Sequence, residues 1–450
     1  MCMVKRGRLN NLARFAALFA ALFAEGLLMP GCSWFGGNFD GSPAQMDEAI
    51  GQLARQLIRQ AYEGLPTDRI VDHHVHLVGT GAALPLEFEG VSNSDCYVND
   101  DLFRWSNPLL RIKTAVFMSA CGVSDREQVD GQYAERLLSL VANVPHGRFL
   151  LMAFAAYRDD NGTVNWERTQ FHVPNRYAIE VSNHLNRRLG QDRFVPVGSV
   201  HPYDARALKE LERLHQAGVR FIKWLPNAMN IDPADPRCVP FYRELARLGL
   251  VLLSHTGDET TVRTPAGQAL GNPLLLIHAL ENGATVVMLH CGRDGTGIDL
   301  NDPAHPRRPN FELFLDLMTL PAYQRYRGRL FGDISALTIP QHSDQLFRLI
   351  EDRRLHGRLV NGSDYPIPAF NILTPTRSIL WPTRSLLAQN ALTRDEALAL
   401  EEIYAYNPLL FDFVVKRTLR HPKTGERLPD SVFLELPLAE EHRGLNPSGR

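Results

Sequence analysis

Short apolar runs of strand length recur along the chain, and segments with apolar residues at helical spacing separate most of them. The helical segments include Ala205–Gln216, Pro240–Leu248, Pro273–Glu281 and Gln341–Glu351, and another covers 46–62. The strand candidates are Ile70–Leu77, Ile112–Ala120, Phe149–Tyr157, Phe194–Val200, Val219–Leu225, Leu250–His255, Thr285–Cys291, Leu330–Ser335 and Arg358–Gly362. This alternation over about 300 residues predicts a parallel sheet with helical crossovers.

The run Ile112–Ala120 has the features of a helix rather than of a strand. Pro108 lies near the start of the longer segment that contains it, and Gly122 follows its end. Its apolar residues fall near one helical face. We therefore predict a helix here, within an insertion at 78–148 that follows the first strand.

The eight remaining strand candidates predict the fold class α/β, as a (β/α)8 TIM barrel with a long first βα insertion and C-terminal helices. An open, doubly wound sheet shares the alternation, but no glycine-rich phosphate loop follows the first strand, which disfavours that alternative. The predicted organisation is a signal segment at 1–32, a tether and N-terminal helix at 33–66, the barrel domain at 67–412 and a tail at 413–450.

The first 32 residues have the pattern of an export signal. A basic start at Lys5–Arg8 precedes an apolar run at 15–24, which is too short to cross a bilayer because that needs about 20 apolar residues. Gly31 and Cys32 then resemble a bacterial lipobox. We expect an exported protein of the periplasm or cell envelope, membrane-associated only through a lipid on Cys32. An uncleaved anchor or an ordinary signal peptide is the alternative.

Composition and charge narrow the expected partners. Hydrophobic residues make up 44% and charged residues 22% of the 450 residues, as is ordinary for soluble globular proteins. The formal net charge is −2 and no long basic stripe occurs, so nothing indicates a nucleic-acid partner. The six cysteines are scattered without a CxxC pair, which is neither a disulfide framework nor a zinc ribbon. A small-molecule substrate is the expected partner.

The first strand candidate carries two histidines at alternating positions. His74 and His76 project from the same side of a strand, and in a barrel that side can face the lumen near the catalytic rim. Two converging neutral imidazoles suit a zinc-like ion. In a chain with 16 histidines such a pair can arise by chance, so it does not define a site alone.

Three later strand candidates repeat this arrangement. His255, His290 and Asp364 each follow an apolar run, and each is followed closely by glycine or proline. Any one of them could be a satisfied polar residue at a strand end. Four separate strands with the same placement indicate a shared site at the C-terminal ends of the barrel strands.

These motifs resemble the amidohydrolase superfamily. The resemblance rests on the sequence Asp72-His-His-Val-His76, on His255 and His290, and on Asp364. It extends over roughly 68–412, including the Tyr406-Asn-Pro segment after the barrel. The branch that the chain most resembles is the amidohydrolase-related group, which also contains nonoxidative decarboxylases of aromatic and related acids.

The resemblance implies that His74, His76, His255 and Asp364 hold one divalent metal, with zinc expected and manganese compatible with the same ligands. It gives His290 the role of general acid/base or electrostatic partner, and it gives Asp364 a second, catalytic role as proton acceptor. The implied activity is that of a metal-dependent hydrolase, which uses a metal-activated water on an ester, lactone or amide bond. A metal-dependent nonoxidative decarboxylase of an aromatic or related acid is the alternative. The intact ligand set disfavours a catalytically idle binding module.

Lys223 on the fourth strand bears on the number of metals. Some superfamily members carboxylate a lysine on this strand to bridge two metals, and His255 and His290 are then both ligands. The Ile-Lys-Trp setting resembles the mononuclear group, so we expect one metal and a substrate-binding Lys223. Arg293, Asp294 and Tyr365, which follow strand ends, are further candidates for substrate contact, and for each a plain solvated loop residue is the alternative.

Overall fold

The computed structural model describes residues 36–37, 41–102, 108–302, 304, 307–378 and 380–437. The predicted signal segment and its lipidation residue Cys32 lie outside these residues, and export stays a prediction. Among the helices of the described residues, none is both long and apolar enough to cross a membrane.

Eight parallel strands follow one another in a ring. They are β1 (Val71–His76), β2 (Arg148–Met152), β3 (Phe194–Val197), β4 (Phe221–Trp224), β5 (Val251–His255), β6 (Thr285–Leu289), β7 (Leu330–Asp333) and β8 (Leu359–Val360). One sheet contains β1 to β3 and the other contains β4 to β8. Parallel bridges join the two sheets at both seams, between Gly198 and Ile222 and between Val75 and Tyr365. The predicted TIM-barrel fold is confirmed.

Helices surround the strands and fill the insertion. The longer ones are α1 (Gln52–Tyr62), α2 (Pro108–Ala120), α3 (Val129–Ala142), α4 (Asn175–Leu189), α5 (Ala207–Gln216), α6 (Val239–Leu248), α7 (Ile277–Glu281), α8 (Asn310–Thr319), α9 (Ser343–Glu351), α10 (Arg394–Tyr406) and α11 (Pro408–Thr418). Four-residue helices cover Met46–Ala49 and Pro226–Met229. Two short antiparallel pairs join Tyr97–Val98 to Phe171–His172 and Thr296–Ile298 to Arg307–Pro309.

Three sequence-based boundaries can be compared with these elements. The helix predicted at Ile112–Ala120 forms as part of α2. The helical pattern at 46–62 is interrupted, because Ile50 and Gly51 are extended and a new helix begins after Gly51. The second strand was expected to reach Tyr157 but ends at Met152. It ends there because Phe154 leaves the barrel and pairs with Val173 in antiparallel fashion.

Alternate residues of the strands fill the lower part of the barrel. Their side chains form a separate apolar cluster, because every second residue of a strand points to the same side. The cluster consists of Val71, Leu150, Met152, Val197, Val251, Leu253, Val287, Leu289, Phe331, Val360 and, from the C-terminal segment, Leu436. This packing sets which residues within the lower part of each strand point into the lumen.

The two ends of the described chain pack against each other. The rings of Tyr62 in α1 and Phe413 in α11 stack with their centroids 4.7 Å apart. The helix α11 continues through residue 412, where we predicted that the barrel domain would end, and Val432 and Phe433 are fully buried. Residues 413–437 therefore contribute buried side chains that pack against the rest of the described chain.

Candidate active site

A local irregularity in β1 turns its two predicted ligands toward the lumen. Val71 belongs to the apolar cluster inside the barrel, and the register with β2 shifts between Asp72 and Val75. Such a bulge changes which residues face inward. The Asp72 carboxylate stabilises this backbone, because its Oδ1 accepts hydrogen bonds from the amides of His74 and Ser363 at 3.0 and 2.8 Å.

Asp364 meets both histidines of β1. Its backbone has a left-handed conformation, with φ of 60°, and its amide donates to the His74 carbonyl at 2.8 Å. Its Oδ1 lies 3.0 Å from Nε2 of His76 and 3.4 Å from Nε2 of His74. Two atoms bound to one cation at about 2.1 Å are about 3.0 to 3.4 Å apart when their bonds form angles of about 90° to 110°. The three side chains therefore have the spacing of ligands to a common ion.

His255 faces the same space from β5, in phase with the lumen residues Val251 and Leu253. Its Nδ1 lies 3.6 Å from Oε2 of Glu259. Its Nε2 is buried and has no hydrogen-bond partner among the described residues. Unlike His74, His76 and Asp364, whose ligand atoms all lie within 4.8 Å of one another, His255 belongs to no such set in the described chain. The structure thus brings three of the four predicted ligands together, and Nε2 of the fourth, His255, has no hydrogen-bond partner among the described residues.

His290 reaches the lumen by a different route. Leu289 already points into the barrel, so the next residue of a regular strand would point outward. Instead His290 and Cys291 have φ values of 61° and 52°, and the chain turns sharply at the end of β6. The His290 ring centroid then lies 4.9 Å from that of His74 and 5.0 Å from that of His255.

Ser335 determines which nitrogen of His290 carries hydrogen. The Ser335 hydroxyl donates to Oδ2 of Asp333, so its oxygen must accept from Nδ1 of His290, 2.8 Å away. The same Nδ1 lies 3.4 Å from the Ser335 carbonyl, which can only accept. We assign the hydrogen of His290 to Nδ1 on this network. Its Nε2 is then unprotonated and able to accept a proton.

Asp333 is a site residue that the sequence analysis missed. It ends β7, and its Oδ2 accepts a hydrogen bond from Nδ1 of His74 at 2.9 Å, which leaves Nε2 of His74 for a metal. A Cβ at Gly362 would lie 2.6 Å from both Oδ1 of Asp333 and Cβ of His74, so a glycine is needed where the chain leaves β8. The sequence could have indicated Asp333 as a site residue, because it ends an apolar run as the predicted ligands do.

Burial favours the neutral form of three histidines of the site, His74, His255 and His290. Burial lowers the pKa of His255 to about 3, and the Lys223 ammonium acts in the same direction. Burial also holds the pKa of His74 and His290 well below the usual histidine range, with Lys223 adding to the effect at His74 and Arg293 at His290. Neutral imidazole is the form that binds a metal.

The predicted substrate contacts have different positions. Lys223 is fully buried, lines the cavity, and its Nζ lies 3.4 Å from Nε2 of His74. Burial lowers its pKa to about 8, while Asp364 and Asp333 oppose this. Arg293 also lines the cavity, and its Nε donates to Asp294 at 3.2 Å. Tyr365 is not among the cavity residues, because its ring is fully buried beside Tyr133, and the prediction that it contacts substrate is not supported.

A cavity of about 220 Å³ opens above these residues. Its metal end is formed by side chains from the strand ends, which are His76, Lys223, His255, His290, Arg293 and Asp364. The rest is largely apolar and comes mainly from the insertion and from the loops after β2 and β5. We call Phe117, Met118, Val123, Phe154, Phe171 and Val262 the apolar wall. The sequence predicted the insertion at 78–148 but not which of its residues line the cavity.

The residues of the metal end fit a divalent cation. Imidazole nitrogens with one carboxylate are a donor set for zinc and related ions. The buried and unpartnered Nε2 of His255 is an independent sign, because an orphaned buried polar atom is costly unless something binds it. His74, His290 and Asp333 form a second group whose possible ligand atoms lie within 4.8 Å of one another. We interpret this group as a hydrogen-bonded network that orients the metal ligands.

The fold and this donor set define a metal-binding TIM-barrel protein. The amidohydrolase family model matches residues 71–395, and the chain belongs to that family, whose members are metal-dependent enzymes. No curated protein matches the sequence.

Several solved structures are similar at low identity. An uncharacterized TIM-barrel protein from Bordetella bronchiseptica is 16% identical with a TM-score of 0.42, over 74% of this chain and 94% of that chain. A 4-oxalomesaconate hydratase from Rhodopseudomonas palustris is 15% identical with a TM-score of 0.37, over 74% and 93%. A 5-carboxyvanillate decarboxylase from Sphingomonas paucimobilis is 13% identical with a TM-score of 0.34, over 75% and 95%. The family assignment therefore rests on the family model.

Proposed function

We propose that the protein is a metal-dependent hydrolase that cleaves an ester, lactone or amide bond of a small molecule. The observation that carries the proposal is that a set of metal-ligand side chains and two proton-accepting side chains share one buried space. Asp364 and His290 lie together there, with Oδ2 of Asp364 3.9 Å from Nδ1 of His290. Hydrolysis requires a group that takes a proton from water and a group that protonates the leaving atom.

A bound zinc ion would act as a Lewis acid and would lower the pKa of a coordinated water from 15.7 to about 7. His74, His76, His255 and Asp364 would hold it, with Asp333 and Glu259 orienting His74 and His255 through their Nδ1 atoms. One carboxylate oxygen of Asp364 faces the two histidines of β1, and the other is available to take a proton.

His290 would supply the second proton position. Because its Nδ1 hydrogen is engaged by Ser335, its Nε2 can accept a proton or a hydrogen bond from substrate. Lys223 and Arg293 add positive charge at the metal end, where negative charge develops on the carbonyl oxygen during attack. The apolar wall would exclude bulk water, so these charges would act in a low-dielectric space.

Nonoxidative decarboxylation of an aromatic acid is the second candidate. The buried Lys223 favours it, since an ammonium beside the metal site could pair with the carboxylate of such an acid. The two reactions are separated by incubating zinc-loaded protein with phenyl acetate, a simple lactone, an anilide and a hydroxybenzoic acid. Release of phenol, hydroxy acid or aniline supports hydrolysis. Release of CO₂ from the acid with no hydrolysis of the other compounds would contradict it.

A further inference from the structure

The apolar wall is the part of the cavity that contributes no group to the proposed chemistry. Phe117 and Met118 come from α2, and Val123 follows that helix. The rings of Phe154 and Phe171 pack against each other with centroids 4.4 Å apart. These side chains come from separate segments, and all of them line the same cavity.

The polar side chains beside this wall already have partners within the protein. The Thr80 hydroxyl donates to Oδ1 of Asp130 at 2.7 Å, and Oε1 of Gln170 accepts from the amide of Arg263 at 2.6 Å. The Lys113 ammonium donates to the carbonyls of Thr260 and Thr261 at 2.9 and 2.5 Å. These hydrogen bonds tie the polar groups to the protein and leave them with fewer donors and acceptors to offer a ligand.

The carboxylate of Glu259 is occupied in the same way. Its Oε1 accepts from the amides of Thr261 and Val262, and its Oε2 lies near His255. A charged or hydrogen-bonding substituent placed against the six apolar side chains of the wall would lose its water without gaining a partner from them. A hydrocarbon in the same place would gain the full benefit of burial.

We propose that the part of the substrate remote from the reacting bond is an uncharged hydrocarbon group of about the size of one ring. Met118 and Phe117 are the residues that select it. This inference rests on the proposed function, because it assigns the apolar wall to the substrate of that same site. The cavity volume of about 220 Å³ limits the group to small rings or short chains.

The test uses three hydroxamates that share one metal-binding head. They are acetohydroxamate, 3-phenylpropanohydroxamate and the phenyl compound with a para-carboxylate, each titrated into zinc-loaded protein by calorimetry. We expect the phenyl compound to bind about 30-fold more tightly than acetohydroxamate, as burial of a phenyl group predicts. The para-carboxylate should remove most of that gain. Equal binding of the phenyl and carboxylated compounds, or no binding by any of the three, would overturn the inference.

Two substitutions in α2 form a matched pair. Met118→Gln places a polar group in the wall and should reduce the preference for the phenyl compound about 5-fold or more. Ile112→Gln changes a partly buried residue of the same helix that does not line the cavity, and it should leave the preference unchanged. Met118→Lys should improve binding of the carboxylated compound. Equal effects of Met118→Gln and Ile112→Gln would contradict a direct role of Met118.

Failure of this inference can be told apart from failure of the proposed function. If the protein holds no zinc and hydrolyses nothing, but the metal-free protein still prefers the phenyl over the carboxylated compound, the wall keeps its role and the hydrolase proposal fails. If zinc-loaded protein hydrolyses acetyl, phenylpropanoyl and carboxyphenylpropanoyl esters with equal kcat/KM, the hydrolase proposal stands and the assigned substrate class is wrong.

Discussion

The metal end of the cavity is made from the ends of barrel strands, whereas the apolar wall is made from the insertion and the loops after β2 and β5. At the metal end, buried titratable groups hold one another, as in the contacts of Asp333 with His74 and of Glu259 with His255. Along the wall, the polar groups Gln170 and Lys113 make hydrogen bonds with backbone groups of the protein. In our proposal the metal end carries out the bond chemistry and the apolar wall selects the substrate. Substitutions at the metal end should therefore lower mainly kcat, and substitutions in the insertion should raise mainly KM.

The largest effect is expected from Asp364→Asn. The amide keeps the shape of the side chain but cannot accept a proton, and it is a much weaker ligand for a cation. We expect kcat to fall by about 1,000-fold or more while the far-ultraviolet circular dichroism stays unchanged. Steady-state kinetics on a responsive ester would measure this. If the variant keeps more than about a tenth of the wild-type kcat, Asp364 does not have the catalytic role that we propose.

A smaller loss is expected from Asp333→Asn. This residue orients His74 through its Nδ1 and does not itself bind the metal in our account. Loss of such a partner typically weakens metal affinity about 10- to 100-fold. Competition with a chromogenic chelator gives the zinc affinity. Asp412→Asn is the control, because Asp412 is a buried carboxylate paired with Lys416 and should not change zinc affinity. Equal weakening by both variants would indicate a general effect on stability.

Ser335→Ala should affect kcat without affecting the metal. Without the hydroxyl, Nδ1 of His290 loses its 2.8 Å partner and the ring is free to adopt either tautomer. We expect kcat to fall about 10-fold with KM almost unchanged, and Ser335→Thr to recover most of the rate. Nitrogen-15 spectra of histidine-labelled protein report the tautomer directly. An Nδ1 without hydrogen in the wild type would refute the assigned network.

The smallest effect is expected in the insertion, from Asp130→Asn. The Asp130 carboxylate accepts hydrogen bonds from the amides of Thr80 and Gly81 and from the Asn93 amide group, and so it fixes the loop after β1. The substitution should raise KM about 3-fold, leave kcat within about 2-fold, and lower the free energy of unfolding by about 1–3 kcal/mol. Asp125→Asn, at an exposed helix cap, should change neither kinetic constant. If Asp130→Asn lowers kcat and leaves KM unchanged, the loop after β1 takes part in the reaction step, contrary to this prediction.

The comparison of the two regions also explains how much the sequence could predict. The predicted ligands could be found because they lie at or just after the ends of strands. For His255, which follows Val251 and Leu253, the period of two also predicts the direction of the side chain. His290 needs a left-handed turn that local patterns do not encode, although its position at a strand end indicated it. Ser335 could not be assigned, because its role depends on contacts with Asp333 and with a histidine 45 residues away.

The wall was not predictable for a related reason. The contact of Phe154 with Phe171, and the cavity that Met118 shares with Val262, join segments that follow no common period and lie far apart in the chain. Tyr365 shows the converse case. Its position next to Asp364 indicated a residue at the rim of the cavity, but its ring is buried beside Tyr133. Adjacency in sequence to a strand end therefore predicts a site residue only when the backbone direction is also known.

The central claim is that one divalent metal is held at the metal end and that Lys223 stays an unmodified lysine. Elemental analysis of purified wild type, His255→Ala and Lys223→Ala by plasma mass spectrometry tests it most directly. We expect about one zinc per chain in the wild type and in Lys223→Ala, and clearly less in His255→Ala. Two tightly bound metals in the wild type, falling to one or fewer in Lys223→Ala and partly restored by short-chain carboxylic acids, would contradict the account.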